Sequence, residues 1–194
     1  MNNLIFLASG ILLLSAVPIF SNVYAITVNN TDFSVNVLDD WAYKEENPLV
    51  KIFASALGGG SSLTLIPVEF SKMLINTNLS DSEQFRIRND GAYSLMGLDA
   101  SYPYRNVPLE IYTQYNLNQS KVEIFSKENT TIDGELAVKI HRSPRHNLTN
   151  MEVTEYYLVH EGKPYVIQYG ANLQYYQKYL PQFEQMVRTF KFVK

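Results

Sequence analysis

The 194-residue sequence contains no cysteine, which excludes disulfide bonds, a thiol nucleophile and a lipid anchor attached through cysteine. It also lacks an excess of basic residues: the formal net charge is -3, and acids and bases are intermixed along the chain. Recognition of nucleic acid usually needs a concentrated basic face, so a nucleic-acid partner is not expected. At this length, one domain with a real hydrophobic core is predicted.

Long apolar runs are also missing, except at the N-terminus. Leu4 to Phe20 is uncharged and apolar, and the following SNVYA places Val23 and Ala25 at the −3 and −1 positions of a small-residue cleavage site. We therefore predict a signal peptide over residues 1–25, cleaved after Ala25, and one mature domain over residues 26–194. The leading MNN holds no Lys or Arg, so a retained membrane anchor stays open as the alternative. Either way, the predicted location is extracytoplasmic, secreted or at the cell envelope.

N-glycosylation sequons are frequent in the sequence, and all of them fall in stretches expected to be loops or strand ends. In an exporting cell with the necessary enzyme, such sites are accessible for modification. An Asn-rich sequence also produces sequons by chance, and this alternative stays open. The candidate sites are Asn29, Asn78, Asn118, Asn129 and Asn147.

The C-terminal third carries the clearest structural pattern. Two β-branched and aromatic runs flank the polar link Glu161–Lys163, which predicts a β-hairpin. The hairpin leads into LQYYQKYLPQFEQMVRTF, a predicted amphipathic helix with Pro181 in its first turn. A short strand is predicted in the closing KFVK. The apolar stripe of the helix consists of Phe183, Met186, Val187 and Phe190.

Upstream, alternating patterns and turn residues predict further strands joined by tight turns, with Asp133–Gly134 in the connection between two of them. Trp41 is expected at the edge of the core, with its N–H bonded to a carbonyl. A helix is predicted over residues 82–98, with an irregular excursion as the alternative because Asn89–Gly91 is a turn pattern. Pro108 is expected to open a second helix of about three turns. The predicted strands cover residues 26–28, 33–37, 49–56, 62–68, 122–127 and 136–142, so the fold class is α+β with an antiparallel sheet.

Three stretches of the sequence resemble the PsbP-like family: FSVNVLDDW, TTIDGELAVKIHRS and, above all, KPYVIQYGANLQYYQKYLPQFEQMVRTFKF. The resemblance covers most of the chain after Ala25. It rests on core and turn positions that report a fold, namely Gly134, Tyr165, Tyr169, Pro181, Phe183, Phe190 and Phe192. It implies an α-β-α sandwich with a central antiparallel sheet. No functional residue follows from it, because fold does not fix function.

Motifs for catalysis or cofactor binding are not apparent. Gly58–Gly60 joins two predicted strands and no GK[ST] follows, so a hairpin connection is favoured over a phosphate-binding loop. No G-x-S-x-G elbow is present. A catalytic triad could be proposed from Ser61 or Ser62 with a distant His and Asp, but almost any sequence with several Ser and His residues allows such a proposal. The adjacent carboxylates Asp39–Asp40 and Glu45–Glu46 should point to opposite faces, which does not suit an acid and a base acting on one bond. We predict no enzyme activity and no cofactor.

Histidines offer only a weak metal hypothesis. His141 and His146 flank a short loop, and His160 ends the next predicted strand. Two imidazoles joined by a turn could hold a soft divalent ion. Polar loop residues beside Arg142 and Arg145 are the favoured interpretation, so no metal site is predicted.

Tyrosine is the most unusual component of the sequence, and it is concentrated in the C-terminal hairpin and helix. Tyrosine offers a large rigid contact area with a polar tip, so its outward members could form a docking face for a protein or glycan partner. The alternative is that these side chains bridge the sheet margin and the helix. The candidate docking residues are Tyr156, Tyr157, Tyr165, Tyr169, Tyr175 and Tyr176.

Together these observations predict an exported, non-catalytic binding or accessory protein of the envelope or the extracellular space. An exported hydrolase with a dispersed active site and a structural envelope component remain the alternatives. A cavity with converging polar groups would favour the hydrolase, and a contiguous apolar and aromatic patch would favour binding.

Overall fold

The computed structural model describes residues 24–45, 62–70, 91–99, 101–118, 121–145 and 150–193. Within these ranges lie ten strands and two complete helices, and residues 68–70 are also helical. The helices are α1 (Leu109–Asn118) and α2 (Leu173–Arg188). The strands are β1 (Tyr24–Asn29), β2 (Phe33–Leu38), β3 (Trp41–Glu45), β4 (Ser62–Pro67), β5 (Ala92–Leu98), β6 (Ile124–Ile132), β7 (Glu135–Arg142), β8 (Met151–His160), β9 (Lys163–Asn172) and β10 (Lys191–Phe192).

The strands form two antiparallel sheets. The large sheet has the order β3-β4-β5-β9-β8-β7-β6, and the small sheet has the order β1-β2-β10. The predicted α+β class with an antiparallel sheet is therefore confirmed. The predicted strand over residues 49–56, the loop Gly58–Gly60 and most of the predicted signal peptide lie outside the described residues. Among the helices that the structure describes, none combines the length and the apolar character needed to span a bilayer.

The two helices pack on opposite faces of the large sheet. Adjacent residues of a strand point to opposite faces, and the neighbours Tyr156 and Tyr157 of β8 show this directly. The Tyr156 ring lies 6.2 Å from Phe183 of α2, whereas the Tyr157 ring lies 5.4 Å from Tyr112 of α1. We call these the α2 face and the α1 face.

The α2 face is covered by α2 and by the small sheet. Tyr176, Tyr179 and Phe183 follow the helical period and are buried, so burial of this stripe holds α2 against the sheet. The small sheet joins the same core, because Phe33 of β2 stacks on Phe190 at 4.7 Å. The predicted placement of Phe190 and Phe192 on one side of the final strand is confirmed by the burial of both.

Two sequence predictions about helices are wrong. The C-terminal half of the predicted helix, residues 92–98, is strand β5, a central strand paired with β4 and β9. Its alternating burial at Ala92, Ser94 and Met96 has the period of a strand, and pairing on both sides outweighs local propensity. The preceding residues 82–90 lie outside the described ranges.

The position predicted for Pro181 is also wrong, because Pro181 lies inside α2 and not in its first turn. The helix begins at Leu173, where the Asn172 side chain accepts a hydrogen bond from the Gln174 N–H at 3.2 Å. The buried stripe continues on both sides of the exposed Pro181, so packing outweighs the hydrogen bond that proline cannot donate. The helix opened by Pro108 is confirmed, since α1 begins at the next residue.

Turn predictions are confirmed where the structure describes them. Asp133 and Gly134 join β6 to β7 with φ angles of 50° and 84°, and Glu161 and Gly162 join β8 to β9 with φ angles of 48° and 72°. Two consecutive residues of positive φ form the type I′ turn that suits a two-residue hairpin. Trp41 is buried, and its indole N–H donates to the side-chain carbonyl of Gln182 at 2.7 Å, as expected.

Candidate functional site

A groove on the α2 face, between edge strand β6 and helix α2, is the candidate functional site. It encloses about 320 Å³, and its lining is mostly polar. The groove exists because β6 extends beyond the area that α2 covers, so the polar side chains of β6 stay exposed beside the helix. We call it the β6–α2 groove, and its principal residues are Glu128, Thr130, Lys139, Tyr156, Glu184 and Arg188.

Strand register explains how these side chains converge. Glu128 of β6 lies directly opposite Lys139 of β7, and Lys139 lies directly opposite Tyr156 of β8. Directly opposed residues of antiparallel strands share a face, so all three point to the α2 face. Glu184 approaches from α2 above them. The sequence thus brings together groups from four elements that share no local motif.

Lys139 is the electrostatic centre of the groove. Its Nζ lies 2.7 Å from Glu184 Oε1 and 3.2 Å from Glu128 Oε1, and it stands 5.8 Å from the centre of the Tyr156 ring. Burial alone would lower the pKa of Lys139, but the bonds to Glu184 and Glu128 and the charges around it raise that pKa above its ordinary value. Lys139 therefore stays protonated at neutral pH.

Tyr156 forms part of the groove floor and is also unreactive as a base. Burial raises the pKa of Tyr156 to about 12, although the positive charge of Lys139 opposes this shift. The hydroxyl therefore keeps its proton at neutral pH. At neutral pH the groove therefore presents the charged amine of Lys139 beside the neutral hydroxyl of Tyr156.

At one end of the groove, Asp133 joins the two sheets. Its carboxylate accepts hydrogen bonds from Lys191 Nζ at 2.8 Å and from the backbone N–H of Phe192 at 2.9 Å. Burial raises the pKa of Asp133, but these two bonds and the Lys191 charge together bring it below its ordinary value. Asp133 is therefore ionised, and it ties the β6–β7 turn to the C-terminal strand.

The α1 face carries a second polar cluster, which is closed. Arg142 and Glu155 are each 2% exposed, and Arg142 Nε donates to Glu155 Oε2 at 2.7 Å. The Tyr157 hydroxyl donates to the same carboxylate, and Arg145 Nη2 donates to the Tyr157 oxygen at 3.0 Å. We call Arg142, Arg145, Glu155 and Tyr157 the buried charge network. Its groups bond mainly to one another, so it holds the structure together and offers little to a ligand.

A second hollow lies near the middle of α2, beside the turn between β2 and β3. It encloses about 490 Å³ and includes Asp40, Glu69, Lys178 and Gln182. Its charges form an exposed pair, with Lys178 Nζ 3.1 Å from Glu69 Oε2. An exposed pair of this kind contributes little free energy, and fewer polar groups converge here than in the β6–α2 groove.

The tyrosines predicted to form a docking face are buried, so that prediction is wrong for five of the six. Tyr156, Tyr157, Tyr165, Tyr169 and Tyr176 are 6% exposed or less, and Tyr175 is half-buried against Phe70. Their hydroxyls bond inside the protein: Tyr169 donates to the Tyr176 carbonyl at 3.0 Å, and Tyr176 pairs with Thr154. The alternative, in which tyrosines bridge the sheet and its helices, describes the observed packing.

Three of the candidate glycosylation sites lie in the described ranges. Asn29 is exposed at the end of β1, as predicted for a strand end. Asn118 is exposed too, but it is the last residue of helix α1 and lies in neither a loop nor a strand end. Asn129 instead lies within β6, where its side chain is exposed because β6 is an edge strand. Asn78 and Asn147 lie outside the described residues. The predicted cleavage point after Ala25 lies inside β1, so cleavage there would leave Ile26 as the first residue of that strand.

The described histidines pair with carboxylates. His141 Nε2 lies 2.7 Å from Glu152, and its ring stacks on Tyr176. His160 Nδ1 lies 2.8 Å from Glu135. Within the described part of the chain, no three His, Cys, Asp or Glu side chains converge as a metal site would require. His146 and Ser61 lie outside the described residues.

Sequence reasoning missed Glu128, Lys139 and Glu184 as members of one site. The available indication was small: Glu184 falls on the polar face of the predicted helix, and Lys139 interrupts the apolar run from Leu136 to Ile140. The register of β6 and β7 brings Glu128 beside Lys139, and the packing of α2 on the sheet adds Glu184.

Comparison with known proteins gives little to set beside this geometry. No family model matches the chain, and no curated protein matches it. The solution structure of cyanobacterial PsbP (CyanoP) from Synechocystis sp. PCC 6803 is similar with a TM-score of 0.45 and 7% identity, covering 87% of this chain and 92% of that one. A Pseudomonas aeruginosa protein of unknown function, PA94, is similar with a TM-score of 0.44 and 14% identity, covering 50% and 70% respectively. Likenesses this distant carry no argument about function.

Proposed function

We propose that the chain is an exported, non-catalytic binding or accessory protein with a PsbP-like α-β-α sandwich, and that its β6–α2 groove holds a hydroxyl-rich ligand of glycan chemistry. The supporting observation is the convergence of fixed charges and hydroxyl groups in one open groove. Glu128 is 59% exposed in its side chain, so its carboxylate has room to accept further hydrogen bonds. Sugar hydroxyls both donate and accept, and they match a surface of carboxylates, cations and threonine hydroxyls.

The protonation states of Lys139 and Tyr156 favour a binding role for these two groups over acid–base chemistry. A general acid or base works best with a pKa near the working pH. Lys139 and Tyr156 both hold their protons well above neutral pH, so neither exchanges a proton with a ligand under those conditions. Fixed donors and acceptors suit recognition of a polar ligand.

A blocking variant tests this proposal. A glycan array first identifies the glycans that the wild-type protein binds. Thr130 is half-buried and lines the groove, so the larger side chain of Thr130→Trp should fill the groove and abolish binding of those glycans. Lys127→Trp is the matched control, because Lys127 is exposed on the same strand and points to the opposite face. Calorimetry with a glycan identified on the array should show loss of binding for Thr130→Trp and unchanged affinity for Lys127→Trp. Equal affinity of the two variants, or an array without any retained glycan, contradicts the proposal.

A glycoside hydrolase is the second candidate function, because two carboxylates line the same groove. Glu128 and Glu184 both reach the Nζ of Lys139, and glycoside hydrolysis uses a pair of carboxylates flanking the scissile bond. Release of a chromogenic leaving group from aryl glycosides would favour this candidate, provided that Glu128→Gln and Glu184→Gln each abolish it. Binding without turnover would favour the accessory role.

Export is the part of the proposal that rests on the N-terminal sequence. The apolar run Leu4 to Phe20 and the cleavage pattern ending at Ala25 support it. N-terminal sequencing of the protein from the native extracytoplasmic fraction should begin at Ile26. Recovery of the chain in the cytosol with Met1 still attached would contradict export.

A further inference from the structure

Strand β6 is long and exposed, and among the strands that the structure describes it forms one edge of the large sheet. Its burial pattern is exposed from Ile124 to Asn129, and within the described ranges β6 pairs only with β7. The unpaired N–H and C=O groups of an edge strand invite another strand, and many edges are shortened, bulged or covered for that reason. The register of β6 is irregular between Ile124 and Ser126, but from Ser126 to Ile132 its pairing with β7 is regular. The opposite edge, β3, is shorter, with five residues against nine in β6.

The hairpin turn determines which backbone groups of β6 face outward. A two-residue type I′ turn at Asp133 and Gly134 makes Ile132 and Glu135 a hydrogen-bonded pair. Hydrogen-bonded and non-bonded pairs then alternate along the ladder. The N–H and C=O groups of Lys127, Asn129 and Thr131 therefore point away from β7, available to a further strand.

We propose that a second copy of this chain occupies the edge, with β6 of each copy pairing antiparallel about a two-fold axis perpendicular to the sheet. Such an axis keeps each sheet face on its own side, so opposed residues must come from the same face. From Ser126 onward, an even-numbered residue of β6 in one copy then lies opposite an even-numbered residue of β6 in the other copy. Odd-numbered residues likewise lie opposite odd-numbered residues. This condition leaves few registers.

The register centred on Asn129 fits the side chains of β6. It opposes Lys127 to Thr131 of the second copy and Glu128 to Thr130 of the second copy, so no like charges are directly opposed. Registers centred on Lys127 or Glu128 would oppose like charges across the axis, which is destabilising. A register centred on Thr130 would move Lys127 past the end of the strand ladder and lose its backbone pairing.

This pairing would also change the β6–α2 groove. Both copies of α2 would lie on the same side of one continuous sheet, and the two grooves would face each other across the axis. The second copy would thereby close the open side of the groove and form a trough with a helix along each wall. The dimer does not require a groove ligand, so its test is independent of the function proposed above.

One matched pair of substitutions at an exposed position tests the dimer and its register. Thr131→Lys places a cation opposite Lys127 of the second copy, and Thr131→Glu places an anion there; each contact occurs twice by symmetry. Sedimentation equilibrium of ligand-free protein should show a concentration-dependent dimer. Its dissociation constant should rise about two- to thirtyfold with Thr131→Lys and fall by a similar factor with Thr131→Glu.

A backbone substitution provides the second measurement. Asn129→Pro removes an outward N–H at the axis and should give a monomer, whereas Asn129→Ala keeps that N–H and should still dimerise. The protein is prepared in a host without N-glycosylation, because a glycan on Asn129 would stand at the axis. A wild type that stays monomeric at millimolar concentration, or Thr131→Lys and Thr131→Glu variants of equal dimer affinity, would overturn the proposal.

Discussion

Each face of the large sheet is covered by a helix, but the side chains buried on the two faces differ in kind. On the α2 face, aromatic rings stack between sheet and helix, as Phe183 does on Tyr169 at 5.2 Å. On the α1 face, helix and sheet enclose Glu155 and Arg142, both 2% exposed. Apolar burial is favourable by itself, whereas a buried charge is tolerated only when its partner is present. The α2 face should therefore respond to changes in volume, and the α1 face to changes in pairing.

The largest effect is expected from a cavity on the α2 face. Phe183 is fully buried between Tyr156 and Tyr169, so Phe183→Ala should lower the free energy of unfolding by about 4 kcal/mol. Urea denaturation measures this loss. Leu136→Ala is the control, since Leu136 is 70% exposed and its truncation should cost under about 0.5 kcal/mol. Equal losses of unfolding free energy for the two variants would show that packing of Phe183 against the sheet does not stabilise the protein.

Breaking the charge pair on the α1 face should cost nearly as much. Glu155→Gln leaves Arg142 buried without its counter-charge, and the free energy of unfolding should fall by about 3 kcal/mol. The double variant Glu155→Leu with Arg142→Met removes both charges and should recover most of that loss. If the double variant is as unstable as the sum of its single variants, pairing does not govern this face.

Removing single hydroxyls compares the faces at a finer scale. The Tyr112 hydroxyl donates to buried Asp99 at 2.8 Å, so Tyr112→Phe deprives a carboxylate of a donor and should cost about 2 kcal/mol. Tyr169→Phe on the α2 face removes a bond to a neutral backbone carbonyl and should cost about 1 kcal/mol. Chemical denaturation of both variants measures the two losses. A larger loss for Tyr169→Phe than for Tyr112→Phe would contradict the proposed difference between the two faces.

Alkaline pH should produce a graded loss of stability on the α2 face. Burial raises the pKa of Tyr156 to about 12, and a tyrosine of the unfolded chain ionises near about 10. The contribution of Tyr156 to the free energy of unfolding is intact below about pH 10. It is lost as the pH rises from about 10 towards about 12, by about 1.4 kcal/mol per pH unit. Tyr156→Phe should reduce the pH slope of stability by that amount, measured by urea denaturation between pH 9 and 11. An unchanged slope would contradict the shift.

Local patterns predicted much of the fold correctly. Alternation identified β2, β7 and the C-terminal hairpin, and the type I′ turn residues Asp133–Gly134 marked the connection between β6 and β7. The stripe through Phe183 identified α2. These features depend on neighbours in sequence, which is why sequence reasoning found them. The same reasoning placed a helix on β5, because the pairing of that strand with β9 is non-local.

The candidate site could not be predicted in the same way. Glu128, Lys139 and Glu184 are separated along the chain, and each taken alone has the character of a solvated surface residue. Tyrosine-rich composition instead suggested an exposed docking face, although composition does not state which side of a strand or helix a residue occupies. Burial of Tyr157 and Tyr169 follows from helices packing on both faces of the sheet.

The sequence by itself determined most of the antiparallel strands, though not β3 or β5, together with the hairpin turns, the apolar stripe of α2 and a core without disulfides. These features follow from side-chain periodicity and backbone preference. Only the tertiary structure decided that five of the six candidate docking tyrosines are buried and that Arg142 and Glu155 form a buried pair. It also decided that β6, among the described strands, is an edge beside a polar groove. Those properties depend on strand register and on which face each helix covers, and register is set by contacts between residues far apart in the chain.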